Sequence, residues 1–194
     1  MRHGATAWNI ADRFQGTTET MLHPIGRDQA LINAKAVEAF IRAGQFQRDE
    51  ITIVSSPLAR ARQTASIVAE RLGLENTKIQ TITALREISL GRWEGMNNLR
   101  VKEVYYEERQ SRKLDRWNFR PQGGESLAER ADGVKAALAS LDPHSVVITH
   151  AGILRIALHV LGSESIDDAA SASLPHEGLL HFDGTALHRM FATT

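Results

Sequence analysis

Two short β-branched segments are each followed by a turn and then by a helical pattern. Residues Ile51–Val54 lead through Ser-Ser-Pro into a helical pattern that stops at Gly73, and Ser145–Thr149 leads through His150 into the apolar stretch 153–161. Strands that alternate with helices predict an α/β fold. We therefore expect a three-layer sandwich, in which helices flank a mostly parallel central sheet.

The remaining segments extend this pattern. Apolar residues at helical spacing predict helices over 25–43 and 125–141, and a weakly alternating run over 78–83 predicts a further strand. Residues 97–120 are rich in charged and aromatic side chains, which favours a helical excursion over one edge of the domain. Its most charged part, 107–116, is typical of a solvated helix face.

Composition limits the classes of function. The 194 residues, 42% of them hydrophobic, suit a single domain over 1–194 with 97–120 as an insertion within it. Basic and acidic residues balance at 23 each, which argues against nucleic acid as a partner. Because no apolar run approaches the roughly 20 residues that span a bilayer and no signal-type start is present, we expect a cytoplasmic protein with no membrane partner.

Side chains suited to phosphate chemistry follow several of the predicted strands. Ligands of α/β proteins bind beyond the carboxyl ends of the strands, where Arg60 and His150 are expected to lie with Arg2. These three residues can surround the charge of a transferred phosphoryl group. The sequence contains no cysteine, so the imidazole of His3 is the candidate nucleophile, and Glu87 is the candidate general acid and base.

Five sequence blocks resemble one known family over nearly the whole chain. It is the histidine phosphatase superfamily, in its phosphoglycerate-mutase-like branch of cofactor-independent phosphatases. The blocks are RHGATAWN with RFQG at 2–16, SSPLARARQTA at 55–65, LREISLGRWEG at 85–95, GGES at 123–126 and VVITHAGILR at 146–155.

The resemblance implies roles for particular residues. It assigns the nucleophile, the phosphate pocket and the proton donor to the five residues already named: His3, Arg2, Arg60, His150 and Glu87. It adds four contacts to phosphate, from Asn9, Gln15, Gly16 and the backbone of Ala151. It also implies that the protein uses neither a metal nor another cofactor.

The expected function is hydrolysis of a small phosphorylated metabolite, the expected partner, through a covalent phosphohistidine at His3 with Glu87 as general acid and base. Two alternatives stay open. One is a phosphoglycerate mutase, which moves the phosphoryl group between hydroxyls, and the other is a non-catalytic phosphate-binding protein. The resemblance implies that mutases of the family have a longer segment than this sequence between the proton-donor block and the last histidine. The shorter segment here favours the phosphatase.

Two features concern the ends of the sequence. Members of the family carry an apolar strand before the RHG motif, where this sequence has only Met1. We expect either that residues before Met1 are missing from the sequence or that the central strand position is vacant, in which case His3 would fray. At the other end, Asp183-Gly184 predicts a hairpin with a two-residue turn, whose free edge offers a contact for a homodimer.

Overall fold

The computed structural model describes residues 1–44, 47–162 and 164–190. Its helices are α1 (Ala7–Ile10), α2 (Pro24–Ala43), α3 (Ala59–Leu72), α4 (Asn98–Val104), α5 (Tyr106–Leu114), α6 (Leu127–Ala139), α7 (Ala151–Val160) and α8 (Ile166–Ser171). Its strands are β1 (Thr52–Ser55), β2 (Gln80–Thr81), β3 (Ser145–Ile148), β4 (Leu179–Phe182) and β5 (Leu187–Met190).

Three parallel strands form the central sheet in the order β2-β1-β3. Residues 1–3 run beside the end of β3, where a parallel bridge joins Arg2 to Thr149. The carboxyl ends of β1 and β3 therefore meet residues 1–3 at one edge of the sheet. This is the edge at which α/β proteins bind their ligands.

Helices cover both faces of the sheet. Side chains of neighbouring strand residues point to opposite faces, and Ile53 and Val54 accordingly belong to different apolar clusters. Ile53 packs with Val37 and Ala65 of α2 and α3, whereas Val54 packs with residues of α6 and α7 such as Val134. A parallel sheet buried on both faces confirms the predicted three-layer α/β fold.

The element boundaries follow local signals. Helix α6 begins after Ser126 because its hydroxyl accepts the N–H of Glu129, whose carboxylate accepts the N–H of Ser126 in return. Helix α3 ends at Gly73, whose φ of 69° lies in the left-handed region. The strand predicted over 78–83 is shorter in the structure, because 3₁₀ turns at Asn76–Lys78 and Thr83–Leu85 leave only β2 between them.

Segment 97–120 forms the predicted helical excursion, with α4 and α5. Both ends of the segment are tied to the loop 91–96. The segment begins directly after this loop, and at its other end the carbonyl of Gln122 accepts the N–H of Arg92 (3.1 Å). Between these points, Glu108 of α5 forms an ion pair with Arg92. The excursion is therefore fixed to the loop at its ends and near its middle.

Strands β4 and β5 form a separate antiparallel hairpin, as predicted. The connection is longer than the predicted two-residue turn at Asp183-Gly184. The last strand pair is Phe182 with Leu187, so Asp183–Ala186 form the connection. The carboxylate of Asp183 accepts the N–H groups of Thr185 and Ala186 at 2.8 Å, which stabilises this longer connection. Within the described residues, no helix is both long enough and apolar enough to cross a bilayer.

Candidate active site

A cavity of about 350 Å³ opens at the carboxyl edge of the central sheet. It is lined by all but one of the residues that the sequence assigns to a phosphate site. These are Arg2, His3, Asn9, Gln15, Gly16, Arg60, Glu87 and Ala151. The exception is His150, whose ring centroid lies 5.0 Å from that of His3. The fold thus brings together residues from four of the five sequence blocks.

His3 is buried and fixed. It is 3% exposed, and its N–H donates to the carbonyl of Thr149 (2.9 Å), so His3 is not frayed. Its Nδ1 lies 2.7 Å from the carbonyl oxygen of Gly4, which can only accept, so Nδ1 carries the proton and Nε2 keeps its lone pair. Burial, the neighbouring His150 and the charges of Arg60 and Arg2 lower the pKa of His3 well below 6.5. The imidazole is therefore neutral at pH 7, as a nucleophile must be.

Two more histidines surround His3. His150 is fully buried at the start of α7, and its Nε2 lies 2.7 Å from the hydroxyl of Ser56. Burial, with the charges of Arg60 and Arg2, lowers the pKa of His150 well below 6.5. The Nδ1 of His176 donates to the carbonyl of His3 (2.7 Å), and burial, with the charge of Arg2, lowers its pKa to about 4.

The arginines at 2 and 60 are anchored by their terminal nitrogens. Arg60 donates to the carbonyls of Gly16 (2.7 Å) and Thr18 (2.9 Å), and Arg2 donates to the carbonyl of Leu174 (2.7 Å). Burial lowers the pKa of Arg2 to about 10, which still leaves the guanidinium charged at pH 7.

Three buried nitrogens of this group have no partner among the described residues. They are Nε of Arg2, Nε of Arg60 and Nδ1 of His150. A buried polar group left unpaired costs about 1–3 kcal/mol, so such groups mark a place where a ligand supplies the missing acceptors. The three nitrogens belong to the three side chains from which the sequence predicts a phosphate pocket.

The loop after the RFQG block is held by a residue that sequence reasoning missed. The carboxylate of Glu94 accepts the backbone N–H groups of Thr17 and Thr18 (both 3.0 Å) and that of Leu90 (3.0 Å). Gly16 has a φ of 53°, and a Cβ there would lie 2.1 Å from an oxygen of Glu94. Glu94 thus joins the loop that Arg60 holds to the segment that follows Glu87.

The remaining predicted phosphate contacts lie beside this loop. Asn9 and Thr6 form a capping box at the start of α1, which uses the side-chain oxygen of Asn9. The side-chain oxygen of Gln15 accepts from the hydroxyls of Thr6 (3.0 Å) and Thr20 (2.7 Å). For both amides the side-chain nitrogen is the group left to donate to an anion.

Glu87 is positioned by the first turn of α7. Its two carboxylate oxygens lie 3.1 and 3.2 Å from the N–H of Gly152, and one of them also accepts the N–H of Ile88 (3.1 Å). A Cβ on Gly152 would lie 2.3 Å from that carboxylate, so the close approach requires glycine. The predicted proton donor therefore lines the cavity and is held there by the first turn of the helix that follows His150.

Sequence reasoning also missed four arginines of the cavity wall, Arg13, Arg112, Arg116 and Arg155. Arg112 and Arg116 belong to the charged region for which a solvated face was expected, and this expectation is wrong for Arg112, which is partly buried against the cavity. Arg155 could have been found from its spacing, because it lies four residues after Ala151 on the same helix face.

Taken together, the parallel sheet and the cationic cavity around a neutral histidine define an α/β protein whose site is built for a phosphoryl group. The chain belongs to the histidine phosphatase superfamily (branch 1), whose family profile matches residues 1–185. The resemblance noted in the sequence is thereby confirmed.

Several relatives of known name are similar to this chain. A glucosyl-3-phosphoglycerate phosphatase of Mycolicibacterium vanbaalenii is 37% identical over 133 residues, which cover 68% of this chain and 53% of that protein. The chain thus spans about half the length of that relative. A glucosyl-3-phosphoglycerate phosphatase of Mycobacterium tuberculosis is 31% identical over 167 residues, covering 79% of this chain and 70% of that one. The solved structure of a mycobacterial glucosyl-3-phosphoglycerate phosphatase with VO3 matches with a TM-score of 0.79 at 26% identity, over 100% of this chain and 96% of that one.

Proposed function

We propose that this protein hydrolyses a small phosphomonoester through a covalent phosphohistidine at His3. One observation carries the proposal. The buried, unpaired nitrogens of Arg2, Arg60 and His150 belong to residues that surround a neutral imidazole whose Nε2 keeps its lone pair. A phosphoryl group has three non-bridging oxygens that can accept from such donors, and its phosphorus would then face the nucleophile.

The first chemical step forms the covalent intermediate. Nε2 of His3 bonds to phosphorus while the ester P–O bond breaks, and the leaving oxygen takes the proton of the Glu87 carboxylic acid. Arg2 and Arg60 stabilise the charge that spreads over the non-bridging oxygens. The Nδ1 proton of His3 stays on its hydrogen bond to Gly4, so the ring keeps its orientation.

The second step releases phosphate. The Glu87 carboxylate removes a proton from water, the water oxygen bonds to phosphorus, and the P–N bond breaks with its electron pair returning to Nε2 of His3. Inorganic phosphate leaves and the carboxylic acid of Glu87 is restored for the next cycle. Hydrolysis of small phosphorylated metabolites is in line with the names of the mycobacterial relatives.

The test is to trap the intermediate. The protein is incubated with a ³²P-labelled phosphomonoester, quenched rapidly and assayed for protein-bound label that is stable in base and labile in acid. We expect label in the wild type and in the control variant His188→Ala, whose exposed ring lies on the β4–β5 hairpin, and none in His3→Ala. Matching thermal unfolding curves show that each variant is folded.

Each other result rejects part of the proposal. Phosphate release without bound label excludes the phosphohistidine, and label that persists in His3→Ala assigns the nucleophile elsewhere. Label that moves to a second hydroxyl compound instead of water indicates a mutase. If no ester of a broad panel labels the protein although phosphate binds to it, the protein is a non-catalytic phosphate-binding protein.

Three further expectations from the sequence stay predictions, because this test does not address them. They are the cytoplasmic location, the homodimer and the single-domain organisation.

A further inference from the structure

The cavity contains a second group of positive charges beside the phosphate pocket. Six arginines line it among the described residues, but only Arg2 and Arg60 belong to the pocket around His3. One terminal nitrogen of Arg13 donates to the backbone carbonyl of Gly95 (2.6 Å). The others are Arg112 of α5, Arg116 just beyond it, and Arg155 of α7.

Within the described residues, no carboxylate of the cavity wall forms an ion pair with Arg112, Arg116 or Arg155. Glu125 is held by both terminal nitrogens of Arg86 (2.6 and 2.7 Å), and Asp12 accepts from the side-chain amide of Asn98 (3.1 Å). The third carboxylate is that of Glu87, which accepts from the N–H of Gly152 and whose charge also acts on Arg155. Arg155 donates to the carbonyl of Ala172 through Nε (3.3 Å) and one terminal nitrogen (3.1 Å). Over the described ranges of the chain, neither Arg112 nor Arg116 has an ion pair or a side-chain hydrogen bond.

The packing of α5 on Trp93 and Phe14 sets the position of Arg112. The indole N–H of Trp93 donates to Glu108 (2.7 Å), which lies one helical turn before Arg112 on α5. The guanidinium of Arg112 lies 5.9 Å from the ring centroid of Phe14 and 6.0 Å from that of Trp93. These contacts hold the cation at the cavity wall instead of leaving it free in solvent.

The charges of the two groups act on one another. Burial, followed by the charges of Arg155 and Arg116, lowers the pKa of Arg112 to about 10. Arg155 also lowers the pKa of Arg2, after the effect of burial. Arg155 therefore interacts electrostatically both with the phosphate pocket and with the cations of the excursion. Like charges that line one cavity repel one another, and an anion placed among them removes that cost.

We propose that Arg112, Arg116 and Arg155 form a subsite for a second anionic group of the substrate, a carboxylate or a second phosphate on the same molecule. This inference rests on the proposed function for the identity of the first group, and it adds the substrate class: phosphomonoesters that carry another anion. A guanidinium recognises either oxyanion through paired N–H donors. Neutral sugar phosphates are then poorer ligands than phosphorylated acids or bisphosphates.

Non-hydrolysable ligands test the subsite independently of catalysis. Dissociation constants are measured by calorimetry for alkylphosphonates of increasing chain length, for the ω-carboxyalkylphosphonates of the same lengths and for the α,ω-bisphosphonates. At the chain length that spans both groups, we expect the dianionic ligand to bind about 10- to 100-fold more tightly than the alkylphosphonate. The carboxylated and bisphosphonate series show which anion the subsite prefers.

Variants locate the effect. The double variant Arg112→Gln/Arg116→Gln is expected to reduce the preference to about 3-fold or less, while Arg112→Lys keeps part of it because the charge remains. Lys113→Gln is the matched control, because Lys113 is an exposed cation on the same helix that does not line the cavity. Its preference should equal that of the wild type.

The outcomes separate this inference from the proposed function. Equal affinities across each pair of ligands, or a preference that survives in the double variant, overturn the subsite. The ratio of kcat/KM for 3-phosphoglycerate over glycerol 3-phosphate, which differ in one carboxylate, is measured in parallel. Ester hydrolysis without any preference for the dianionic ligand rejects the subsite alone, whereas a preference in binding without hydrolysis of any ester rejects the proposed function alone.

Discussion

Replacing Glu94 with glutamine tests whether one carboxylate holds the phosphate loop in place. One oxygen of Glu94 accepts from the N–H groups of Thr17 and Leu90, and the other accepts from the N–H of Thr18. An amide can supply only one acceptor oxygen. In the better of its two orientations, the variant therefore leaves the N–H of Thr18 facing an NH₂ group.

The magnitude follows from these contacts. A hydrogen bond to a charged group contributes about 1.5–3 kcal/mol, and the bonds that remain lose their charge assistance. Since Glu94 is only half-buried, we expect the free energy of unfolding to fall by about 2 kcal/mol, or Tm to fall by about 4–8 °C. Arg60 donates to the carbonyls of Gly16 and Thr18, so kcat/KM should fall by about 10-fold as this loop loosens.

The dependence on pH gives a second measure. Burial by itself raises the pKa of Glu94, but the hydrogen bonds from Thr18, Thr17 and Leu90 outweigh it and hold the pKa below 4.5. A carboxyl group with a lowered pKa stabilises the fold above its unfolded pKa and loses this effect as the pH falls through the folded value. The difference in Tm between wild type and variant should therefore shrink below about pH 4.5.

Calorimetric unfolding from pH 3 to pH 7 measures both effects. Glu103→Gln is the matched control, because it removes one carboxylate that lies exposed on α4 and, within the described residues, pairs only with Arg100. A Tm for Glu94→Gln within about 1 °C of this control, or a Tm difference that stays constant with pH, would refute the reasoning.

Three further predictions concern the reaction centre. Glu87→Gln should lower kcat by about 10²- to 10⁴-fold with little change in phosphate affinity, since proton transfer acts in the transition state. Stopped-flow kinetics measure kcat and calorimetry measures the affinity, and equal losses in the two quantities would contradict this role. Gly152→Ala places a Cβ 2.3 Å from Glu87 and should reduce kcat in the same way, so wild-type kcat would disprove the contact. The pKa of His176 is lowered by burial to about 4, so unfolding takes up a proton between about pH 4 and 6.5 and stability rises with pH. In urea titrations near pH 5 and pH 7, His176→Gln should therefore show a smaller increase in stability than the wild type, and an equal increase would count against the prediction.

The fold could be predicted where the signals are local. The segment Ile51–Val54 and the apolar helix after His150 show their structure in the periodicity of a few residues, and both form as expected. The weakly alternating run over 78–83 gives only the short β2, because its flanks turn into 3₁₀ helix. The sequence blocks that resemble the family also supply most of the predicted phosphate-site residues that line the cavity, and the roles of these residues stay predictions.

The missing parts of the site depend on contacts between distant segments. Glu94 acts through backbone N–H groups of Thr17 and Thr18, which no spacing in the sequence relates to it. Arg112 is one cation in a highly charged helix, and only the packing of α5 on Trp93 distinguishes it from its exposed neighbour Lys113. Charge patterns give the number of cations in a segment, whereas tertiary packing decides which of them meets the ligand.

The attachment of segment 97–120 to the loop 91–96 has a consequence for how members of this family diversify. Because the loop 91–96 holds both ends of segment 97–120, a shorter or longer segment can replace it without a change in the sheet or in His3. The entropic cost of such an exchange is small, about 0.6 kcal/mol for each doubling of length in a flexible loop. Grafting this one module between homologues should transfer ligand preference while the host retains its own chemistry.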